Sequence, residues 1–235
     1  MPSRLQIVIG YDESEAVAFH VLSHSIMTRT SAPVSITPLV RPSLPELTRP
    51  RGPFDSTDFS ISRFLTPSLC DYRGWALYLD CDMVCLADVS KLLWEVARQP
   101  GKAIYVVKHD YSPSTTTKML GQVQTVYPRK NWSSVILFNC SKCCALTPEY
   151  VNNAPGLDLH RFAWLKDEEI GELPRSWNHL VGEYPPDPLA NILHYTLGTP
   201  CWRQWDNQPQ ADVWWAEFGK MICGLESDLG SPRPT

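Results

Sequence analysis

Trp75-Ala76-Leu77-Tyr78-Leu79-Asp80-Cys81-Asp82 sets five apolar residues in a row directly against two carboxylates. An unbroken apolar run of this length reads as a central strand covered on both faces, since a half-exposed strand would alternate with polar residues. Upstream, Leu5 to Gly10 is a short β-branched run of the same kind. Tyr11-Asp12-Glu13-Ser14 then supplies capping residues, and Phe19, Leu22 and Ile26 recur at helical spacing. Val34 to Val40 reads as the next strand. The opening strand, helix and strand are thus predicted to start an α/β sheet with a right-handed crossover.

Downstream, the pattern continues to alternate. Arg41 to Phe59 carries prolines at 42, 45, 50 and 53 and reads as a surface loop, followed by a helix from about Ser60 to Leu69. Val89 to Arg98 is predicted helical and Ala103 to Val107 a strand, with His109 to Lys130 a long loop. Val135 to Phe138 is a further strand. Thr147-Pro148-Glu149 starts a helix with proline at its first position, and Ile192 to Tyr195 forms a short strand. Val213 to Ile222 closes as an amphipathic helix with Trp214, Phe218 and Met221 on one side. The expectation is one domain over 1–226 and a frayed tail over 227–235.

The two carboxylates carry the first chemical signal. With 14 aspartates in 235 residues, about one Asp-x-Asp arises by chance, so the pair gains meaning only from its position. Side chains at i and i+2 of a strand share a face about 7 Å apart. Two carboxylates at the edge of an apolar core need a compensating positive charge. Mg²⁺ or Mn²⁺ suits such oxygen ligands, and one added imidazole favours Mn²⁺.

Four segments, in order, resemble the family-8 retaining glycosyltransferases. Arg63-Phe64-Leu65, Ala76 to Val84 and Val89 to Leu93 resemble that family's strand with its Asp-x-Asp. Ser133 to Asn139 is similar to its "NSGVmLfN" strand. Asp167-Glu168-Glu169 with Leu173 to Asn178 is similar to "DQD … LPxxWN", and Ile192 to Pro200 to its His-containing ending. The resemblance spans residues 5 to about 205. It implies an α/β GT-A fold, a single mixed central sheet flanked by helices. It also implies Asp80, Asp82 and His194 as Mn²⁺ ligands, with Mg²⁺ as the substitute, and a nucleotide-sugar donor, usually a UDP-sugar. Tyr11 and Asp12 would contact base and ribose, and Arg63 the donor sugar and phosphate. Asp80 and Gly198 would complete the donor site, with Asp167 and Glu168 as catalytic carboxylates beside the transferred sugar.

The sequence also departs from that family. Gly198-Thr199-Pro200-Cys201-Trp202 lacks the lysine that usually precedes the tryptophan, with Lys118, Arg129, Lys130 and Arg203 as the available substitutes. Trp132 and Ser134 replace the Asn and Gly of the "NSG" strand, and Glu168 stands where Gln is common. The missing lysine keeps a second class open, a nucleotide-sugar-binding protein without turnover. A nucleotidyltransferase is disfavoured because Ile9 to Ser14 lacks a Gly-rich phosphate loop.

Bulk properties exclude more than they assign. The net charge is −4 with both signs intermixed, which offers no footprint for nucleic acid. No apolar run approaches 18 residues and no export signal opens the chain, so a soluble cytoplasmic protein is expected. The eight cysteines lack paired zinc spacing and are expected as reduced, mostly buried thiols, and the Asn131-Trp132-Ser133 sequon as unused. The sequence assigns neither an acceptor nor an oligomeric state.

Overall fold

The computed structural model describes residues 5–52, 55–110 and 129–223. In chain order the strands are β1 (Leu5–Tyr11), β2 (Val34–Val40), β3 (Trp75–Leu79), β4 (Met83–Cys85), β5 (Ile104–Val106), β6 (Val135–Asn139), β7 (Ile170–Glu172), β8 (His179–Leu180) and β9 (Ile192–His194). The helices are α1 (Ala16–Met27), α2 (Phe59–Ser62), α3 (Thr66–Leu69), α4 (Leu92–Arg98), α5 (Pro148–Asn153), α6 (Gly156–His160) and α7 (Ala211–Cys223). The predicted tail, residues 1–4 and most of the 109–130 loop, with Lys118, lie outside the described residues.

Six strands form a mixed sheet in the order β2-β1-β3-β6-β5-β7. Because β1 runs parallel to both β2 and β3, the chain must cross the sheet between them, and α1 is the first crossover. β3 lies in the middle and is antiparallel to β6. Ala76, Leu77, Tyr78 and Leu79 are fully buried, as the unbroken apolar run predicts. Phe19, Leu22 and Ile26 of α1 join the same core.

A second sheet, β4-β9-β8, stands beside the first and was not legible as a separate unit, because its strands are only two or three residues long. Its register matters for function. Met83 pairs with His194, and the Tyr195 N–H donates to the Asp82 carbonyl at 2.9 Å. This ladder brings residue 194 to residue 82 across more than a hundred positions of chain. Trp214 of α7 fills the small core behind it with Val84, Leu193 and Tyr195.

Local signals explain the element ends. Thr147 Oγ1 accepts the Tyr150 N–H at 3.1 Å and starts α5, as predicted. The helix expected over 60–69 is instead broken into α2, a 3₁₀ turn over Arg63–Leu65 and α3. Pro67, without an N–H, cannot close the bond that would carry one helix through. All eight cysteines are free thiols, and Cys70, Cys81, Cys85, Cys140 and Cys143 are buried, in line with expectation. Among the described residues no helix is long and apolar enough to cross a membrane.

α1 and α7 are clasped by buried Glu217. Arg29 donates to both carboxylate oxygens at 3.2 and 2.7 Å, and His24 Nδ1 lies 2.7 Å from Oε1. Burial pushes the Glu217 carboxyl up, but the Arg29 hydrogen bonds and charge, with His24, outweigh it and hold it below its ordinary value of 4.5. A carboxylate with a lowered folded value contributes stability above the unfolded value and loses it as pH falls through the folded one. Glu217→Gln is therefore expected to cost about 2 kcal/mol at neutral pH, less than a fully buried pair because Arg29 and His24 are partly exposed. Urea unfolding from pH 7 down to 3 should show the wild-type advantage fading below pH 4.5.

Candidate active site

β3 stops at Leu79, and the chain turns through Asp80-Cys81-Asp82 into β4. The two aspartates therefore lie in the connection between the two sheets, Asp80 directly after β3 and Asp82 directly before β4. The Asp80 N–H still donates to the Ser134 carbonyl at 3.0 Å, which holds this turn against the start of β6. A carboxylate oxygen of each aspartate and a ring nitrogen of His194 lie within 4.8 Å of one another. Among the described residues this is the one group of three or more His, Cys, Asp or Glu with that convergence.

Each of the three is oriented by a neighbour. His194 is 2% exposed, with Nδ1 2.9 Å from Asn178 Oδ1 and Nε2 3.3 Å from Asp82 Oδ1. An amide oxygen only accepts, so Nδ1 donates to Asn178 and Nε2 is the ring nitrogen that faces the cluster, the arrangement in which a second shell sets up a metal-binding imidazole. Asn178 is fixed in turn by donating to Ser134 Oγ at 2.8 Å. Asp80 Oδ1 accepts from the Tyr78 hydroxyl at 2.7 Å and pairs with Arg63 Nη1 at 2.9 Å. Both partners engage Oδ1.

Arg63 is 5% exposed and threads through the site's back wall. Its guanidinium donates to the carbonyls of Ser133, Ser60 and Phe59 and stacks against the rings of Tyr78 and Phe59 at 5.1 and 5.6 Å. Burial raises the Asp80 carboxyl; Arg63 opposes that shift and Asp82 adds to it. The chemistry of this donor set, two carboxylates and one imidazole, fits a divalent cation such as Mn²⁺ or Mg²⁺.

These groups line a cavity of about 60 Å³ together with Glu15, Ser56, Thr57, Asn131 and Gly198. At about 15 Å³ per water-sized group on this measure, it admits an ion with a few oxygen atoms, so any larger ligand must extend beyond it. Gly198 adopts φ 140°, a conformation side-chain-bearing residues rarely take. Gly10 is also constrained: an added Cβ would meet the Phe59 ring at 2.4 Å, and Phe59 is part of the cavity wall.

Other sequence-derived candidates sit elsewhere. Asp12 accepts from the Ser14 N–H and hydroxyl and from the Asp58 N–H at 3.0, 2.6 and 3.0 Å. Burial alone would raise its carboxyl, but these bonds and Arg51 hold it below the ordinary range. Asp12 thus anchors the segment carrying Ser56 and Thr57 without itself lining the cavity, and Tyr11 packs edge-on against Phe19 at 5.5 Å.

Asp167 and Glu168, expected beside the transferred sugar, lie apart from the cavity lining. Asp167 is exposed and paired with Arg129, and the Glu168 carbonyl accepts from Lys102. Neither lines the cavity. Through the pairs Ile104↔Ile170, Ile104↔Phe138 and Ala76↔Phe138, Ile170 is level with the start of β3. The acidic turn preceding Ile170 therefore lies toward the sheet edge where β3 begins, opposite the edge where Asp80 follows it. Of the proposed substitutes for the missing lysine, Arg129 is engaged by Asp167, and neither Lys130 nor Arg203 lines the cavity.

Sequence reading missed Glu15, Ser56, Thr57 and Asn131. Ser56 and Thr57 lie in the Pro-rich loop, where no periodicity points anywhere; Glu15 follows the capping Asp12 and reads there as helix-start polarity.

Two outcomes follow from this geometry. Arg63→Ala, which leaves Asp80 buried without its cation, is expected to destabilise by about 3–5 kcal/mol in chemical denaturation. Asn178→Ala, which frees the His194 ring, should weaken Mn²⁺ binding about tenfold, read as a smaller Mn²⁺-dependent rise in melting temperature than wild type shows.

No family model matches the chain. Among solved structures it is similar to the bifunctional glycosyltransferase WbbM (TM-score 0.65, 15% identity, 96% of this chain and 50% of that one). It is similar also to the glycosyltransferase GlyE of Streptococcus pneumoniae TIGR4 (0.60, 14%, 94% and 62%). The galactosyltransferase LgtC, solved with donor and acceptor sugar analogues, matches over 94% of this chain and 96% of its own (0.52, 12%). The chain spans half of WbbM and under two thirds of GlyE. At such identities the likeness is one of fold, and the mixed sheet with flanking helices is the GT-A glycosyltransferase architecture. In sequence, Protein CDI of Arabidopsis thaliana is 48% identical over 223 residues, covering 91% of this chain and 85% of the plant protein. The chain belongs to the family of Protein CDI, built on the GT-A fold.

Proposed function

We propose that this chain is a divalent-cation-dependent glycosyltransferase that moves a sugar from a nucleoside diphosphate donor, a UDP-sugar, to an acceptor hydroxyl with retention of anomeric configuration. The observation that carries this reading is the convergence of Asp80, Asp82 and His194 in a cavity where β3 ends, on a fold shared with solved glycosyltransferases. Asp80, Asp82 and His194 Nε2 would hold Mn²⁺, or Mg²⁺ in its place. When bound, the cation supplies the charge that offsets what develops on a departing diphosphate.

The remaining roles belong to the chain's own groups. Arg63 fixes Asp80 and lends positive charge to the phosphate end of the cavity. Gly198 lets backbone approach the diphosphate closely. Ser56 and Thr57, held by Asp12, receive the nucleoside, with Tyr11 behind them. Asp167 and Glu168 are assigned no role in this reading because neither lines the cavity. The unit responsible is the domain over 1–226, acting in the cytoplasm.

One observation favours a second reading, a nucleotide-sugar-binding protein without turnover: no lysine lines the cavity among the described residues. Release of nucleoside diphosphate from a panel of UDP- and GDP-sugars with Mn²⁺ separates the two. Turnover is expected with one donor, and Asp82→Ala and His194→Ala should each lower it about a hundredfold or more while the melting temperature stays near wild type. Full activity of Asp82→Ala in the presence of a chelator would sink the proposal, and donor binding without any release would favour the second reading.

A further inference from the structure

Glu15 is the acidic residue that lines the cavity yet belongs to no ligand set. It is 3% exposed and ends the 3₁₀ turn that leads into α1. At the N-cap position of α1, the Glu15 side chain makes no cap hydrogen bond. Its Oε2 has only the Cys81 thiol, at 3.8 Å, a long contact to a weak donor. No other donor reaches its side chain among the described residues. A buried carboxylate left this way is costly, and nothing in the local fold requires it.

The charges around the cavity point to its purpose. Glu15, Asp80 and Asp82 are three carboxylates, and among the described lining residues Arg63 is the permanent cation. A divalent ion in the cavity would supply the positive charge that favours the ionised form of these carboxyls. Arg63 is paired with Asp80, whereas the Glu15 carboxyl has the long Cys81 contact alone among the described residues. The N-terminus of α1 adds a partial positive charge at Glu15 that favours its ionised form. Glu15 lies outside the three residues whose ligand atoms converge within 4.8 Å, so it is not one of the candidate direct ligands.

We propose that Glu15 is a positioning residue of the cation centre, its carboxylate accepting hydrogen bonds from cation-bound water and so tightening divalent-cation binding. This rests on the reading of Asp80, Asp82 and His194 as the ligand set. Removing the charge should loosen the ion and relieve the crowding of carboxylates in its absence, two effects of opposite sign. A residue that only supported the fold would not separate them.

The test is calorimetric titration with Mn²⁺ alone and metal-free thermal melts at one pH on wild type, Glu15→Gln and Asp82→Asn. Glu15→Gln is expected to bind Mn²⁺ about tenfold or more weakly while melting at or above the wild-type temperature without metal. Equal Mn²⁺ affinity of wild type and Glu15→Gln, with Asp82→Asn impaired, overturns this inference and leaves the ligand set standing. A lower metal-free melting temperature for Glu15→Gln overturns it in favour of a structural role. Absence of Mn²⁺ binding by wild type overturns the ligand set and this inference together.

Discussion

The buried pair between Arg63 and Asp80 is the constraint on which the rest of the site depends. A guanidinium and a carboxylate removed from water are stable only if their remaining hydrogen-bonding capacity is filled and the geometry is tight. Here the Tyr78 hydroxyl, the carbonyls of Ser133, Ser60 and Phe59, and two aromatic faces do that. The pair joins the turn between α2 and α3, the end of β3 and the approach to β6. Three segments far apart in sequence are thereby fixed around one carboxylate. Asp80 is held so that a cation meets an oriented ligand with little reorganisation left to perform.

The second anchor is the short sheet β4-β9-β8. It contributes little to the main core, yet its register delivers His194 to Asp82. Ser134 links the two anchors, since its carbonyl receives the Asp80 N–H and its hydroxyl receives Asn178, which orients His194. Replacement of glycine by serine at this position, a departure from the resembling family, thus has a structural use. The hydroxyl becomes part of the support behind the imidazole.

The site concentrates negative charge that the fold alone does not balance. Burial pushes the Glu15 carboxyl well up, with Asp82, Asp12 and Asp80 acting in the same direction, and Asp80 is likewise raised. Such crowding works against stability, in contrast to the Glu217 clasp at the other end of α1, where each acceptor oxygen has a donor. One helix therefore carries a satisfied carboxylate contact near one end and a frustrated one at the other. Frustration of that kind gathers where a protein binds something.

What the sequence determined by itself was most strands of the main sheet and the group Asp80, Asp82 and His194, whose side chains converge as candidate cation ligands. Apolar runs at Ile7 to Ile9, Trp75 to Leu79 and Val135 to Phe138 read as covered strands, and two aspartates just past one of them mark the rim of a core. The His194 assignment came from motif order, because an isolated histidine near a sequence end carries no signal of its own. Only the tertiary structure decided which carboxylates share the cavity. Glu15 was hidden by its helix-start position, and Ser56 and Thr57 by an aperiodic loop. Asp167 and Glu168, adjacent in motif, moved to the far edge through strand register. Periodicity records which face of an element meets the core; it does not record which ends of different elements meet each other, and the site is built from ends.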